Sequence, residues 1–114
     1  QLIESSDVVV ENFKPGTLQR LLGPIPQHVI LCSMSSYGAT GPRKDEPGYD
    51  LVMQAQSGLM SVTGETDGPP NNVGVALIDV ITGLNAVSAI LAALLHKERT
   101  GVAKNIEIHY GIVQ

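Results

Sequence analysis

The sequence predicts an α/β fold on a largely parallel sheet, because strand-like and helix-like runs alternate along it. Three segments carry this expectation. Asp7-Val-Val-Val-Glu11 is a short apolar run bounded by acids, the pattern of a central strand in a parallel sheet. Val80, Ile81, Leu84, Val87, Ile90, Leu91, Leu94 and Leu95 recur at helical spacing and form a broad apolar stripe. Asn105-Ile-Glu-Ile-His-Tyr110 alternates in the manner of a strand with one buried face.

The remaining elements follow in order. Asn12 to Gly16 reads as a turn after the first strand, and Pro15 is placed to open a helix over Thr17 to Leu22. Gly23-Pro-Ile-Pro26 breaks the chain before a second strand, His28 to Met34. Ser35 to Gly48 is rich in Gly and Pro, lacks periodicity and reads as a loop. Asp50 is suited to cap a helix that continues to about Met60. Ser61 to Gly74, with Asp67-Gly-Pro-Pro70 inside it, is loop again. The stretch Val80 to Leu95 carries Thr82, Asn85 and Ser88 and reads as a buried helix, closed by the polar His96-Lys-Glu-Arg99 turn and stopped at Gly101.

Composition narrows the function classes. Hydrophobic residues make up 43% of the chain and charged residues 16%, which suits a packed globular segment and argues against disorder. A formal charge of −4, with only 7 Lys and Arg and no run of them, leaves no electrostatic footprint for nucleic acid or an anionic membrane surface. The single Cys32 cannot build a disulfide framework. No secretory signal is visible and no charge-free apolar stretch reaches spanning length, so we expect a cytoplasmic protein, or a mitochondrial one in a eukaryote. We read the 114 residues as an internal piece of a longer protein, because the first residue is Gln1 and the chain stops at Gln114 directly after a strand-like run.

Two places offer chemistry. Asp79 stands before the strongest helix, after the apolar run Val73 to Ile78. From position alone it is more a helix cap than a catalyst. An acid at a strand-to-helix junction is nevertheless where α/β folds bind ligands, and an ionised carboxylate can attack an activated acyl group. Glu11-Asn-Phe-Lys-Pro-Gly16 is either a turn with a cap or a strand-end ligand loop. In the second case Asn12 offers an amide, Phe13 a stacking face and Lys14 a charge for phosphate, with Arg20 as a second phosphate contact. Asp50 reads as a helix cap, and Tyr49 as a core residue or a hydrogen-bond donor in a site. Ser35 to Pro42 lacks the ending of a Walker phosphate loop, the serines lie outside a nucleophile-elbow pattern, and His28, His96 and His109 lack metal-ligand spacing, so no metal is expected.

Several blocks together resemble the family III CoA transferases (the CaiB/BaiF family). They are Asp7 to Gly16, Tyr37-Gly-Ala-Thr-Gly-Pro42, Pro47-Gly-Tyr-Asp50, Ser57 to Gly64, Gly68-Pro-Pro70, Gly74 to Gly83, and Ile90 to Leu94 with Thr100-Gly101. They come in family order and span nearly the whole chain. The resemblance implies a Rossmann-like parallel-sheet segment of the family fold, with residues 1–114 a part of that domain incomplete at both ends. It implies CoA transfer from an acyl-CoA to a small carboxylic acid, with Asp79 as the nucleophile that forms a mixed anhydride and then an aspartyl-CoA thioester. It places Asn12, Phe13 and Lys14 beside the CoA, Arg20 near a CoA phosphate, and Tyr49 and Asp50 near the acyl end. It implies no permanently bound cofactor, CoA thioesters as substrates, and an interlocked homodimer.

Acyl-CoA racemases of the same superfamily use a His in the Pro-Gly-x-Asp block. This chain has Tyr49 there, and a phenol is a poor base at neutral pH, which favours transfer. The chain departs from the family pattern in three places: a shortened Arg20 to Gln27, Val102-Ala103-Lys104 after Thr100-Gly101, and Gly111-Ile-Val-Gln114 in place of an acidic residue. These departures motivate a contrasting expectation, a non-catalytic segment that binds CoA or packs in an oligomer. The isolated piece is expected to be inactive.

Overall fold

The computed structural model describes residues 2–110. Its core is a three-stranded parallel sheet in the order β1-β2-β3, with β1 at Val8–Glu11, β2 at Ile30–Ser35 and β3 at Ile106–His109. Register pairs Val8 with Ile30 and Cys32 with Ile106. The expected α/β class with a parallel sheet is what the chain adopts. β2 is the central strand, and Val29, Ile30, Leu31 and Cys32 are buried with it. β1 was expected to be central; among the described residues it is an edge strand and its Val10 is exposed. A run of valines reports apolar faces, not which strands flank it.

The connection from β1 to β2 holds a short helix, α1 at Thr17–Leu22, which buries Leu18. Gly16 before it and Gly23 after it both have φ of 77°. Arg43 braces the long loop after β2. Its guanidinium lies 4.1 Å from the Tyr37 ring centroid, donates to the Tyr37 hydroxyl at 2.8 Å and to Gln56 Oε1 at 3.0 Å, and pairs with Glu46 at 2.7 Å. The Glu46 carboxylate pushes the guanidinium pKa further up.

Helix α2, Asp50–Gln56, ends well short of Met60. Gly58, with φ of 81°, turns the chain, and Leu59–Val62 forms a single 3₁₀ turn. Helix α3, Leu77–Thr100, is 24 residues long and about 36 Å from end to end at 1.5 Å per residue. It stops as expected at Gly101, whose N–H donates to the Lys97 carbonyl at 2.7 Å. By length and composition alone this helix could cross a membrane. Here it is the crossover helix between β2 and β3, packed on both strands and on α2.

The expectation that α3 is buried is corrected. Only Thr82, Ala86 and Ala93 are buried, while Val80, Ile81, Leu84, Val87, Leu91 and Leu95 are exposed. The buried positions recur at i, i+4 and i+11 on one face, and the large apolar stripe lies on the opposite side of the helix. Small residues let the helix approach the layer beneath it, so the bulky stripe points outward. β3 behaves as expected, with Ile106 and Ile108 half-buried and Glu107 and His109 exposed. Residues 111–114, where the departure at Gly111 to Gln114 falls, lie outside the described residues.

Candidate active site

The sheet fixes the polarity of α3. Lys97 Nζ meets Asp7 Oδ1 at 3.0 Å, so the C-terminal end of the helix sits at the start of β1. Asp79 is 18 positions earlier, about 27 Å back along the axis. The sheet runs the six residues of β2, about 20 Å, so the first turn of α3, with Asp79, lies beyond the C-terminal edge of the sheet. That edge is where α/β folds place ligands.

Asp79 is neither the N-cap nor preceded by a strand. The N-cap is Ala76, which has no capping side chain, and Asp79 is the third residue of the first turn. Val73 to Ala76 is irregular backbone. The Asp79 side chain is exposed and accepts no hydrogen bond among the described residues.

Asp50 supplies the cap that Ala76 cannot. It was expected to cap its own helix, but it is the first residue of α2, after N-cap Tyr49. Its carboxylate reaches across to α3 instead: Oδ1 accepts the Ile78 N–H at 2.7 Å and the Asp79 N–H at 3.1 Å. Those are two of the four orphan donors of the α3 start. Gln54, one helical turn along α2 and 1% exposed, holds the other Asp50 oxygen through Nε2. The same amide donates to the Val75 carbonyl at 3.2 Å, and Gln54 Oε1 accepts the Val73 N–H at 2.9 Å. Gln54 thus fastens both the capping carboxylate and the segment that leads into Asp79. Sequence reasoning missed it; the only trace was its i, i+4 spacing from Asp50.

Upstream, the approach to Asp50 is tight. Ser36 Oγ donates to the Gly48 carbonyl at 3.1 Å, and a Cβ on Gly48 would stand 2.6 Å from Ser36 Cβ. Tyr49 is 71% exposed, which removes it from the core.

The second group of expected site residues lies at the end of β1. A cleft of about 300 Å³ is lined by Phe13, Pro15, Gly16 and Gln19, by β2, and by Glu11 and Glu107. Both of those carboxylates are tied to backbone donors, Glu11 Oε2 to the Phe13 N–H at 2.7 Å and Glu107 Oε1 to the Ala39 N–H. Phe13 is half-exposed along the cleft, as a stacking face requires. Asn12 and Lys14 are exposed beside it, and Arg20 is exposed with Nη2 donating to Thr17 Oγ1 at 3.0 Å. Neither Asp50 nor Asp79 lines this cleft. The structure therefore joins Asp50 to Asp79 and keeps the Asn12–Lys14 loop and Arg20 as a separate strand-end group.

A strand-end loop and an acid at a helix start, both toward the C-terminal edge of a parallel sheet, form a candidate ligand site on an α/β segment. The chain belongs to CoA-transferase family III, whose model matches residues 1–110. It is 44% identical over 117 residues to the succinate–glutarate CoA-transferase of Agrobacterium fabrum, covering 95% of this chain and 28% of that protein. It is 39% identical over 115 residues to the acetyl-CoA:oxalate CoA-transferase of Acetobacter aceti, covering 95% of this chain and 30% of that one. A crystal structure of a CaiB/BaiF family protein from Brucella suis superposes with a TM-score of 0.90 at 40% identity, over 96% of this chain and 30% of the other. The chain thus spans roughly a quarter to a third of the length of such relatives.

Proposed function

We propose that the full-length protein carrying this segment transfers coenzyme A from an acyl-CoA to a dicarboxylic acid, with Asp79 as the nucleophile. The observation that carries this reading is the Asp79 carboxylate: exposed at the start of α3, with its own backbone N–H and that of Ile78 satisfied by Asp50. A carboxylate relieved of capping, at the start of a helix, is available to attack.

The steps balance. An Asp79 oxygen bonds to the thioester carbonyl carbon, the C–S bond breaks, and CoA thiolate leaves a mixed anhydride on Asp79. The thiolate attacks the aspartyl carbonyl, releasing the donor acid as its carboxylate and leaving an aspartyl thioester. The acceptor carboxylate attacks that thioester, the thiolate returns to the acceptor's carbonyl, and Asp79 is free again. Dividing the exchange into these steps is the gain of covalent catalysis. The strand-end group serves the nucleotide end of CoA, with Phe13 as the stacking face and Asn12, Lys14 and Arg20 as polar contacts. Tyr49 stands near the acyl end. A dicarboxylate acceptor is favoured because the named acceptors of the two relatives, glutarate or succinate and oxalate, are of that class.

Residues 1–114 are, in this reading, one part of a larger domain whose remainder covers the outward apolar stripe of α3. The active form is an interlocked homodimer in the cytoplasm or, in a eukaryote, the mitochondrion.

The test uses the full-length protein with radiolabelled succinyl-CoA and a panel of mono- and dicarboxylic acids. Wild type is expected to carry label on the peptide containing Asp79 and to prefer dicarboxylates. Asp79→Ala and Asp79→Asn are expected to lose label and at least about a thousandfold in turnover, in line with removal of a covalent nucleophile. Normal turnover by Asp79→Ala overturns the assignment.

A further inference from the structure

We infer that Asp50 is a positioning residue for Asp79, an inference that rests on the nucleophile reading above. An acid in the first turn of a helix ordinarily bends back to satisfy the orphan amides there. In α3 the N-cap is Ala76, so without outside help Asp79 is the nearest carboxylate for that task. Asp50 removes the need. One of its oxygens takes the N–H groups of Ile78 and of Asp79 itself, which fixes the peptide plane from which the Asp79 side chain departs.

The arrangement is built to hold its geometry. The second Asp50 oxygen is bound by the buried Gln54 amide, which also grips Val73 and Val75, so the carboxylate has little freedom to turn. The segment that delivers Asp50 is wedged by the close approach of Gly48 to Ser36. A plain helix cap needs only one acceptor from its own chain neighbour. Here the acceptor comes from 29 residues away, contacts the N–H of the reactive residue, and is locked from behind.

The consequence is a division of labour between two acids at one helix start. Asp50 satisfies the backbone, and Asp79 faces the substrate. The result expected of Asp50 variants is slower attack by Asp79 with substrate binding preserved.

Asp50→Asn is the decisive variant. It is isosteric, but an amide cannot accept at both ends. Either its NH₂ opposes the Gln54 NH₂ or its NH₂ faces the α3 donors. In the full-length protein, measured per site labelled by succinyl-CoA, kcat and the single-turnover labelling rate of Asp50→Asn are expected to fall together by tenfold or more. KM for the acyl-CoA is expected to stay within threefold of wild type. Asp50→Ala, where soluble, is expected to lose more. If kcat per labelled site stays within threefold of wild type in Asp50→Asn, or the loss falls in KM, the positioning role is wrong. Asp79→Ala run alongside separates the two ideas: turnover in that variant refutes the nucleophile, whereas an inert Asp79→Ala with an unimpaired Asp50→Asn refutes only the positioning role.

Discussion

Gln54→Leu isolates the latch that holds the start of α3. The substitution keeps the approximate volume of a side chain that is 1% exposed and removes all three of its hydrogen bonds. Two of those bonds join neutral groups and are worth about 1 kcal/mol each, and the one to the Asp50 carboxylate is worth about 1.5–3 kcal/mol. Burying a leucine where an amide stood offsets about 1 kcal/mol, which leaves a net local cost of about 3 kcal/mol. The cost falls on the segment from Val73 to Asp79, because those bonds tie that segment to α2. At 1.4 kcal/mol per tenfold, 3 kcal/mol raises the open population of the segment about a hundredfold. Hydrogen exchange with mass spectrometry on the full-length protein reads this directly. Peptides covering residues 73–80 are expected to exchange about a hundredfold faster in the variant, while peptides from β2 keep their wild-type rates. Acceleration below threefold at residues 73–80, or equal acceleration in β2, refutes the latch.

Two further outcomes follow from the same structure. Gly48→Ala forces a Cβ to within 2.6 Å of Ser36 Cβ, and overpacking of that kind costs about 1–3 kcal/mol. A thermal melt of the full-length variant is therefore expected to drop by several degrees, and an unchanged melting temperature contradicts the packing described. Cys32 is fully buried, and burial, with a smaller push from the Glu11 charge, raises its thiol above the ordinary 9.0. Because the folded value is the higher one, the neutral thiol favours folding below pH 9, and that contribution is lost as pH climbs through the raised value. Alkylation by iodoacetamide at pH 8, followed at the Cys32 peptide, is expected to run at least about a hundredfold slower in native than in urea-unfolded protein. Equal rates would show the thiol to be accessible.

What the sequence made legible was local. β1, β2 and β3 follow from short apolar or alternating runs, α1 from the turn and proline before it, and the end of α3 from Gly101. Each of those signals acts within a few residues. α3 was read as buried because periodicity locates the larger apolar stripe, whereas the side buried among the described residues is lined by Thr82, Ala86 and Ala93, whose smallness is a weak hydrophobic signal. Asp79 and Asp50 were both singled out through the surrounding blocks, but the contact between them was not. Asp50 looked like the cap of α2, since capping rules speak only of the helix that follows the acid. Nothing local to Leu77–Asp79 says that its amides are met by a carboxylate 28 residues upstream.

The position of Asp79 is therefore set from two ends of one helix, and the two ends are unequal. At the C-terminal end the Lys97–Asp7 pair ties α3 to the sheet, but the Asp7 side chain is 79% exposed. Exposed pairs of that kind are worth about 0.2–1 kcal/mol and weaken with salt. At the N-terminal end, Asp50 and Gln54 form charge-assisted and buried bonds to the backbone of Val73, Val75, Ile78 and Asp79 itself. Bonds to a charged group are worth two to three times a neutral one and respond little to screening when partly buried. Among its polar ties, a shift of the helix along its 24-residue length is thus resisted mainly at the end that carries Asp79. The end of α3 that carries Asp79 is held to α2 by polar bonds, while the helix packs on β2 and β3.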